Sequence, residues 1–188
     1  MSEGRFEFRR VSSAGEWLKI RLLYRAAFPA SERKPFSRIV EMWKKEKSDV
    51  WYFSENARFA GFATTINSDS LVLIDYLAVV RRRRGQGTGT RAIESMKARY
   101  EGRALFVEIE SPYEEGSDQA DRVRRKRFYE RCGMEPMNVM ADVFGVKMEL
   151  LVWNGQIDFA GYHAFYRDHY SPWAAEHITE AVHPERAR

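Results

Sequence analysis

The residues best suited to chemistry are four arginines, Arg81–Arg84, followed by Gly85, Gly87 and Gly89 at alternate positions. An apolar run precedes the arginines and predicts a strand, whereas the residues after the glycines have helical spacing. At a helix N-terminus, unpaired backbone N–H groups and the helix dipole attract anions, and glycine lets a phosphate approach the backbone. The loop therefore predicts an anion-binding site, although an ordinary turn with solvated arginines would have the same composition.

The spacing of this loop resembles a known signature. The segment Arg84-x-x-Gly87-x-Gly89 is similar to the Arg/Gln-x-x-Gly-x-Gly/Ala signature of the GNAT N-acetyltransferases, whereas the signatures of nucleotide triphosphatase and dinucleotide loops are missing. A second segment, Phe128–Gly133, is similar to the Phe-Tyr-x-x-x-Gly segment that closes the cofactor-binding half of the same fold. Because the two motifs stand in the family order, the resemblance extends over residues 50–152.

This resemblance implies an α/β (α+β) fold, in which helices flank a mixed, mostly antiparallel central sheet. A splayed pair of central strands would bind acetyl-CoA, the cosubstrate, and no metal is expected. The loop amides would hold the pyrophosphate, together with the Thr88 hydroxyl. The end of the preceding strand would bind the pantetheine arm and the acetyl carbonyl. The residues expected to contact the cofactor are Leu77, Ala78, Val79, Arg84, Gly85, Gln86, Gly87, Thr88, Gly89 and Tyr129.

Acetyl transfer to an amine requires a neutral amine and protonation of the departing thiolate. The resemblance places Tyr129 near the coenzyme sulfur and implies that it is the general acid, although a packing role stays open. Glu108 and Asp75 interrupt strands that are otherwise apolar, where a charge is costly unless it is paired or functional. We expect Glu108, and in second place Asp75, to be the general base. Glu110 shares a strand face with Glu108, and an ion pair with an arginine is open for either of them.

The segment Phe28–Arg33 is similar to Phe-Pro-x-x-Glu-Arg stretches of some family members, in which it borders the acceptor pocket. Glu32 would bind a substrate ammonium there, while a loop charge or a helix cap stays open. We therefore expect an N-acetyltransferase that transfers the acetyl group of acetyl-CoA directly to a primary amine of a small molecule or peptide. The alternative is a non-catalytic domain that binds or senses acyl-CoA.

Several elements must position these residues. The spacing of apolar residues predicts a helix that begins after a Ser13 capping box and ends near Phe28. A nearly continuous apolar run before the arginines predicts a central strand. The remaining predicted helices cover 36–47, 90–100, 118–132 and 158–170, and the strands cover 7–11, 50–54, 58–66, 71–80, 105–109, 134–140 and 146–153.

The composition is that of a folded protein: of 188 residues, 44% are hydrophobic and 31% are charged. We expect a single domain over residues 1–188, with a disordered tail from 177 to 188. No apolar run approaches the ~20 residues of a membrane span, and no signal peptide is apparent. Cys132 is the only cysteine, which excludes an internal disulfide and predicts a cytoplasmic setting and a buried thiol at a helix end.

The net charge of +4 is concentrated in two basic clusters, Arg81–Arg84 and Arg122–Arg127. Such clusters also suit nucleic acid, but here they flank the two cofactor motifs and lack interleaved aromatic residues. We therefore expect no nucleic-acid partner. The second cluster could hold the 3′-phosphate of the cofactor, while a plain solvated face stays open for some of these arginines. The aromatic residues of the C-terminal helix would pack on their own sheet or on a second copy, which leaves a homodimer open.

Overall fold

The computed structural model describes residues 5–183, except for the side chain of Ser31. Their contacts divide the chain into two compact units. Unit 1 comprises residues 5–67 and 74–99, and unit 2 comprises residues 68–73 and 100–183. Every candidate site residue therefore belongs to one unit or the other, and the prediction of a single domain stays a prediction.

Unit 1 contains antiparallel strands covered by helices. The strand order is β1-β2-β3-β4, and antiparallel ladders join β1 to β2 and β2 to β3. The first three residues of β4 belong to unit 2. The elements are β1 (Phe6–Arg10), α1 (Ala14–Ala27), α2 (Phe36–Lys44), β2 (Ser48–Glu55), β3 (Arg58–Asn67), β4 (Leu71–Val79) and α3 (Thr88–Arg99).

The first helix forms as its sequence predicts. The Glu16 backbone N–H donates to the Ser13 hydroxyl oxygen at 3.3 Å, and the helix ends two residues before Pro29. Its apolar face enters the core of unit 1, where Ile20 and Tyr24 are buried. The second helix ends at Lys44 rather than at residue 47, because Glu46 adopts a φ of 56°, which ends a right-handed helix.

Unit 2 contains a second set of antiparallel strands. The strand order is β5-β7-β6-β8, and all three pairings are antiparallel. The elements are β5 (Ala104–Glu110), α4 (Gln119–Arg131), β6 (Glu135–Val143), β7 (Val146–Trp153), α5 (Phe159–Phe165), a π-helical segment (Tyr166–Tyr170), α6 (Pro172–Ala175) and β8 (Ile178–Ala181). The mixed, mostly antiparallel architecture is thus confirmed within each unit.

The C-terminal region differs from its prediction. Residues from 177 onward do not all form a loose tail, because Ile178–Ala181 pairs with the far end of β6. The remainder of the predicted tail, 184–188, lies outside the described residues. Upstream, Phe165 packs edge-on against Phe106 of β5 with ring centroids 5.0 Å apart. The aromatic residues of α5 therefore pack inside their own unit, and the homodimer stays untested.

None of the helices within residues 5–183 is both long enough and apolar enough for a membrane span.

Candidate active site

The anion-binding loop lies in unit 1 between β4 and α3. After β4 the chain makes a 3-10 turn at Arg81–Arg83, and Gly85 and Gly87 then adopt φ values of 73° and 78°. A Cβ atom at either glycine would meet no atom within 4 Å. These two positions therefore require glycine for its backbone conformation, not for space.

The loop leads into the N-terminus of a helix. The chain turns at Arg84–Gly87 and then begins α3, whose hydrogen-bond pattern leaves no acceptor within the helix for the backbone N–H groups of its first residues, Thr88 and Gly89. Both belong to the first turn of α3, where the helix dipole concentrates positive charge. This arrangement can bind an anion with several acceptor oxygens, such as a phosphate.

Two side chains brace this loop from within. Arg84 donates from Nε to the Val79 carbonyl oxygen at 3.1 Å, which links the loop to the last residue of β4. Gln86 donates from Nε2 to the Arg82 carbonyl oxygen at 2.9 Å. Arg84 is exposed, so its other guanidinium N–H groups face solvent and remain available to an anion.

Sequence reasoning missed Glu55, the last residue of β2. Its side chain is 5% exposed, and its carboxylate contacts Thr88, Arg91 and Arg83. The Thr88 hydroxyl donates to Oε1 at 2.6 Å. This hydroxyl thus donates to Glu55, and its predicted contact with the cofactor stays a prediction. The one available signal was a carboxylate at the end of a fully buried strand.

Gly61 of β3 lets the chain approach the end of β4. A Cβ atom there would lie 2.3 Å from the Ala78 carbonyl oxygen and 2.3 Å from the ring of Phe53. No side chain fits such a space without displacing backbone. This glycine therefore positions Ala78, one of the residues expected to contact the cofactor.

Tyr129 lies in the last turns of α4, in unit 2, and is 7% exposed. Gly133 follows the helix with a φ of 72°, and the Met134 N–H donates to the Tyr129 carbonyl oxygen at 3.1 Å. Burial raises the pKa of Tyr129 to about 12. The phenol is therefore protonated across the ordinary pH range.

Glu108 lies on β5 of the same unit. Its Oε2 accepts a hydrogen bond from the Tyr166 hydroxyl at 3.0 Å. Tyr162 lies close by, and burial, followed by the negative charge of Glu108, raises its pKa well above the usual range. Two phenols thus interact with this carboxylate.

Asp75 lies on β4 of unit 1 and has a cationic partner. Lys34 Nζ lies 2.7 Å from its Oδ2, with side chains that are 14% and 11% exposed, and the Thr64 hydroxyl donates to the same oxygen at 3.2 Å. The ammonium also lies 5.3 Å from the centre of the Tyr76 ring. Asp75 is therefore ion-paired with Lys34.

The second basic cluster is partly engaged in ion pairs. Arg122 donates to Asp118 at 2.5 Å and lies 3.6 Å from Glu110, which confirms an arginine partner for one strand glutamate. Lys126 Nζ contacts the buried Glu149 at 2.7 Å. Arg125 and Arg127, by contrast, are exposed. Arg122 and Lys126 are thus engaged in ion pairs, and contact of the cluster with a 3′-phosphate stays a prediction.

Glu32 ends the 3-10 turn Ala30–Glu32 of unit 1 and is exposed. Its carbonyl oxygen accepts from the Tyr76 hydroxyl at 2.9 Å. The cap of α2 is Pro35, without a side-chain hydrogen bond, so Glu32 does not cap that helix.

Cys132 is buried at the C-terminal end of α4, as the sequence predicts. In the part of the chain that the structure describes, no three His, Cys, Asp or Glu side chains converge as metal ligands.

Comparisons with known proteins agree with this geometry. Residues 17–134 match the model of the acetyltransferase (GNAT) family. The curated protein YjbC of Bacillus subtilis, named as an acetyltransferase, is 31% identical over 139 residues. That match covers 68% of this chain and 66% of YjbC, slightly less than two thirds of its length.

Solved structures show the fold. A GNAT-family acetyltransferase of Bacteroides thetaiotaomicron superposes with a TM-score of 0.72 at 20% identity, over 87% of this chain and 98% of its own. NAA60 of Arabidopsis thaliana, solved with acetyl-CoA, gives 0.63 at 16% identity, over 80% and 100%. The fold is the mixed α/β GNAT fold, with an open, mostly antiparallel sheet flanked by helices. On its family match, its fold and its glycine loop, the chain belongs to the GNAT acetyltransferase family.

Proposed function

We propose that this protein is an acetyl-CoA-dependent N-acetyltransferase that transfers the acetyl group directly to a primary amine of a small molecule or peptide. The observation that carries the proposal is the glycine turn after β4, in which Gly85 and Gly87 have positive φ values and lead directly into the N-terminus of α3. This turn lies in the segment that matches the family signature for pyrophosphate binding. A loop of this kind binds the diphosphate of CoA with fixed backbone dipoles.

The rest of the cofactor follows from this anchor. The pantetheine arm would lie along Leu77, Ala78 and Val79, where backbone N–H groups polarise the thioester carbonyl. Acetyl-CoA is present in the solved NAA60 structure, which supports the same cosubstrate here. The separation of two central strands that this binding mode requires is part of the proposal.

Glu108 is the proposed general base. A carboxylate on a central strand that accepts a hydrogen bond from a phenol is able to take a proton from an ammonium. Asp75 is less suited to this role because Lys34 neutralises it and occupies the oxygen that would accept the proton. Its proposed role is secondary, in the attraction of a cationic acceptor.

Tyr129 is proposed to stabilise the departing thiolate by hydrogen-bond donation. Its pKa of about 12 lies above the value of about 8.5 of an ordinary thiol, so complete proton transfer would run uphill. A short hydrogen bond from the phenol to the developing thiolate lowers the barrier without that transfer. The solvent then completes protonation.

The acceptor is proposed to be a cationic primary amine. Glu32 is exposed on the 3-10 turn after α1 and would attract an ammonium, as the family resemblance implies. The proposal also includes a cytoplasmic setting, a homodimer and the lack of a nucleic-acid partner. The single cysteine supports the first, the aromatic C-terminal helix the second, and the position of the basic clusters beside the cofactor motifs the third.

Calorimetric titration tests this function. Acetyl-CoA is expected to bind with micromolar affinity, and 3′-dephospho-CoA more weakly, because Arg125 or Arg127 would lose a phosphate partner. Release of free thiol in the presence of a panel of primary amines then identifies turnover. Binding without thiol release from any amine would favour the non-catalytic alternative, and absence of binding would overturn both.

A further inference from the structure

We propose that Glu55 is a positioning residue for the anion-binding loop, which it holds in its donor-presenting shape from β2. This inference rests on the proposed function, because the anion concerned is the pyrophosphate of CoA. Glu55 touches no cofactor group in the proposal. It acts through the residues on either side of the glycine turn.

The contacts of Glu55 enclose the loop at both ends. Arg83, just before the turn, places Nε 3.2 Å from Oε2. Thr88, the first residue of α3, donates its hydroxyl to Oε1 at 2.6 Å, and Arg91, one turn later, contacts the same oxygen. The glycine turn and the first residues of α3 lie between or beside these anchors. A loop fixed on both sides loses less conformational entropy when an anion binds.

Burial makes this anchoring strong. All eight residues of β2 are buried, and the Glu55 side chain is 5% exposed. Hydrogen bonds to a buried carboxylate are short and stronger than those between neutral groups. The three partners thus hold their positions relative to β2 rather than exchanging with water.

A carboxylate beside an anion site is at first sight unfavourable. By Coulomb's law its negative charge should repel a pyrophosphate, and its removal should strengthen anion binding. The two guanidiniums offset that charge, so the geometric contribution remains. If charge repulsion dominates, a neutral replacement of Glu55 should strengthen pyrophosphate binding. If positioning of the loop dominates, the same replacement should weaken it.

The Glu55→Gln substitution distinguishes the electrostatic effect of this carboxylate from its positioning effect. The amide keeps the size of the side chain but cannot accept from Thr88, Arg83 and Arg91 together, because one of its two ends is a donor. We expect the Kd for CoA and for 3′-dephospho-CoA, measured by calorimetry, to rise by the same factor, roughly tenfold or more. In turnover, KM for acetyl-CoA rises while kcat at saturation is kept.

A second measurement reads the loop without any ligand. Trypsin cleaves after arginine, and the loop itself contains Arg81–Arg84. Glu55→Gln should accelerate cleavage within this run severalfold, as followed by mass spectrometry, because proteolysis reports local opening. Glu16→Gln is the matched control: it removes a carboxylate that pairs with Arg9 at 2.6 Å and bonds Ser12, outside the loop. Its cleavage rate and Kd should match those of the wild type.

Thr88→Val covers the case in which Glu55→Gln does not fold. Valine keeps the shape of threonine and removes the hydroxyl, so a smaller loss of CoA affinity in the same direction is expected. CoA bound as tightly or more tightly by these variants, with wild-type cleavage, would overturn the positioning role and leave the proposed function standing. A wild-type protein that binds neither CoA form would instead overturn the proposed function.

Discussion

The Tyr166 hydroxyl donates a 3.0 Å hydrogen bond to Oε2 of Glu108, which joins the π-helical segment after α5 to the middle of β5. Tyr166 also stacks on Tyr170, with ring centroids 4.6 Å apart. Stacking on Tyr170 therefore helps to fix the Tyr166 phenol that hydrogen-bonds to the proposed base, Glu108. A hydrogen bond of this kind favours the ionised carboxylate.

Tyr166→Phe should move the acid limb of the kcat/KM profile to higher pH. Loss of the hydrogen bond makes the Glu108 carboxylate easier to protonate, so a shift of about half a pH unit or more is expected. The measurement is kcat/KM for the amine over the acid range. If Glu108 is not the base, the acid limb stays where it is in the wild type, even where lost packing lowers the rate.

Tyr129→Phe should lower kcat by about ten- to a hundredfold while the Kd for acetyl-CoA is nearly unchanged. The phenol stays protonated in the ordinary range because its pKa is raised to about 12. The ratio of wild-type to variant kcat should therefore be constant between about pH 7 and pH 10. A ratio that falls across this range would mean that the phenol titrates there, and an unchanged kcat would remove Tyr129 from the mechanism.

Gly61→Ala should destabilise unit 1 by about 1–3 kcal/mol, because the new methyl group overlaps the Ala78 carbonyl oxygen and the Phe53 ring. Gly15→Ala is the matched control. Gly15 lies in α1 with no atom within 4 Å of a Cβ position, so alanine there should stabilise by about 0.5 kcal/mol. Urea unfolding of both variants gives the comparison. Equal effects from the two substitutions would contradict the close approach at Gly61.

Lys126→Met should cost about 3–5 kcal/mol of stability, since it leaves Glu149 buried without its ammonium. Burial lowers the pKa of Lys126, but its hydrogen bonds to Glu149 and Tyr113 outweigh this and raise it. A raised lysine pKa means that the stabilisation is complete below the unfolded pKa of about 10.4 and is lost as the pH rises through the folded value.

Urea unfolding at neutral and at alkaline pH checks this. Lys147→Met provides the control, because its ion pair with Glu114 is half-exposed and should contribute less than about 1 kcal/mol. A wild-type advantage over Lys126→Met that increases with alkaline pH would have the wrong sign for the proposed pair.

The features that the sequence predicts well are local. The glycine loop and the Ser13 cap depend on residues a few positions apart, and both form where the sequence predicts them. The family resemblance likewise rests on two short segments. Spacing within one element is sufficient for such features because their geometry is set by neighbouring backbone.

What the sequence does not predict depends on partners far along the chain. Glu55 meets Thr88 across 33 positions, and Lys34 meets Asp75 across 41. The strand at Ile178–Ala181 exists because β6 supplies its ladder, although its own pattern is weak. Residue types alone do not reveal which charged side chains will be in contact in the folded protein.

The attachment of the glycine loop to Glu55 also bears on grafting. A designer who transplants residues 77–91 into another scaffold would carry the signature but leave its support behind, since Glu55 belongs to a different strand. A graft that retains binding would need a carboxylate at the corresponding place on a neighbouring strand. The residues that form the loop and the residue that supports it are thus not contiguous in the chain. A linear sequence motif includes the loop but not Glu55.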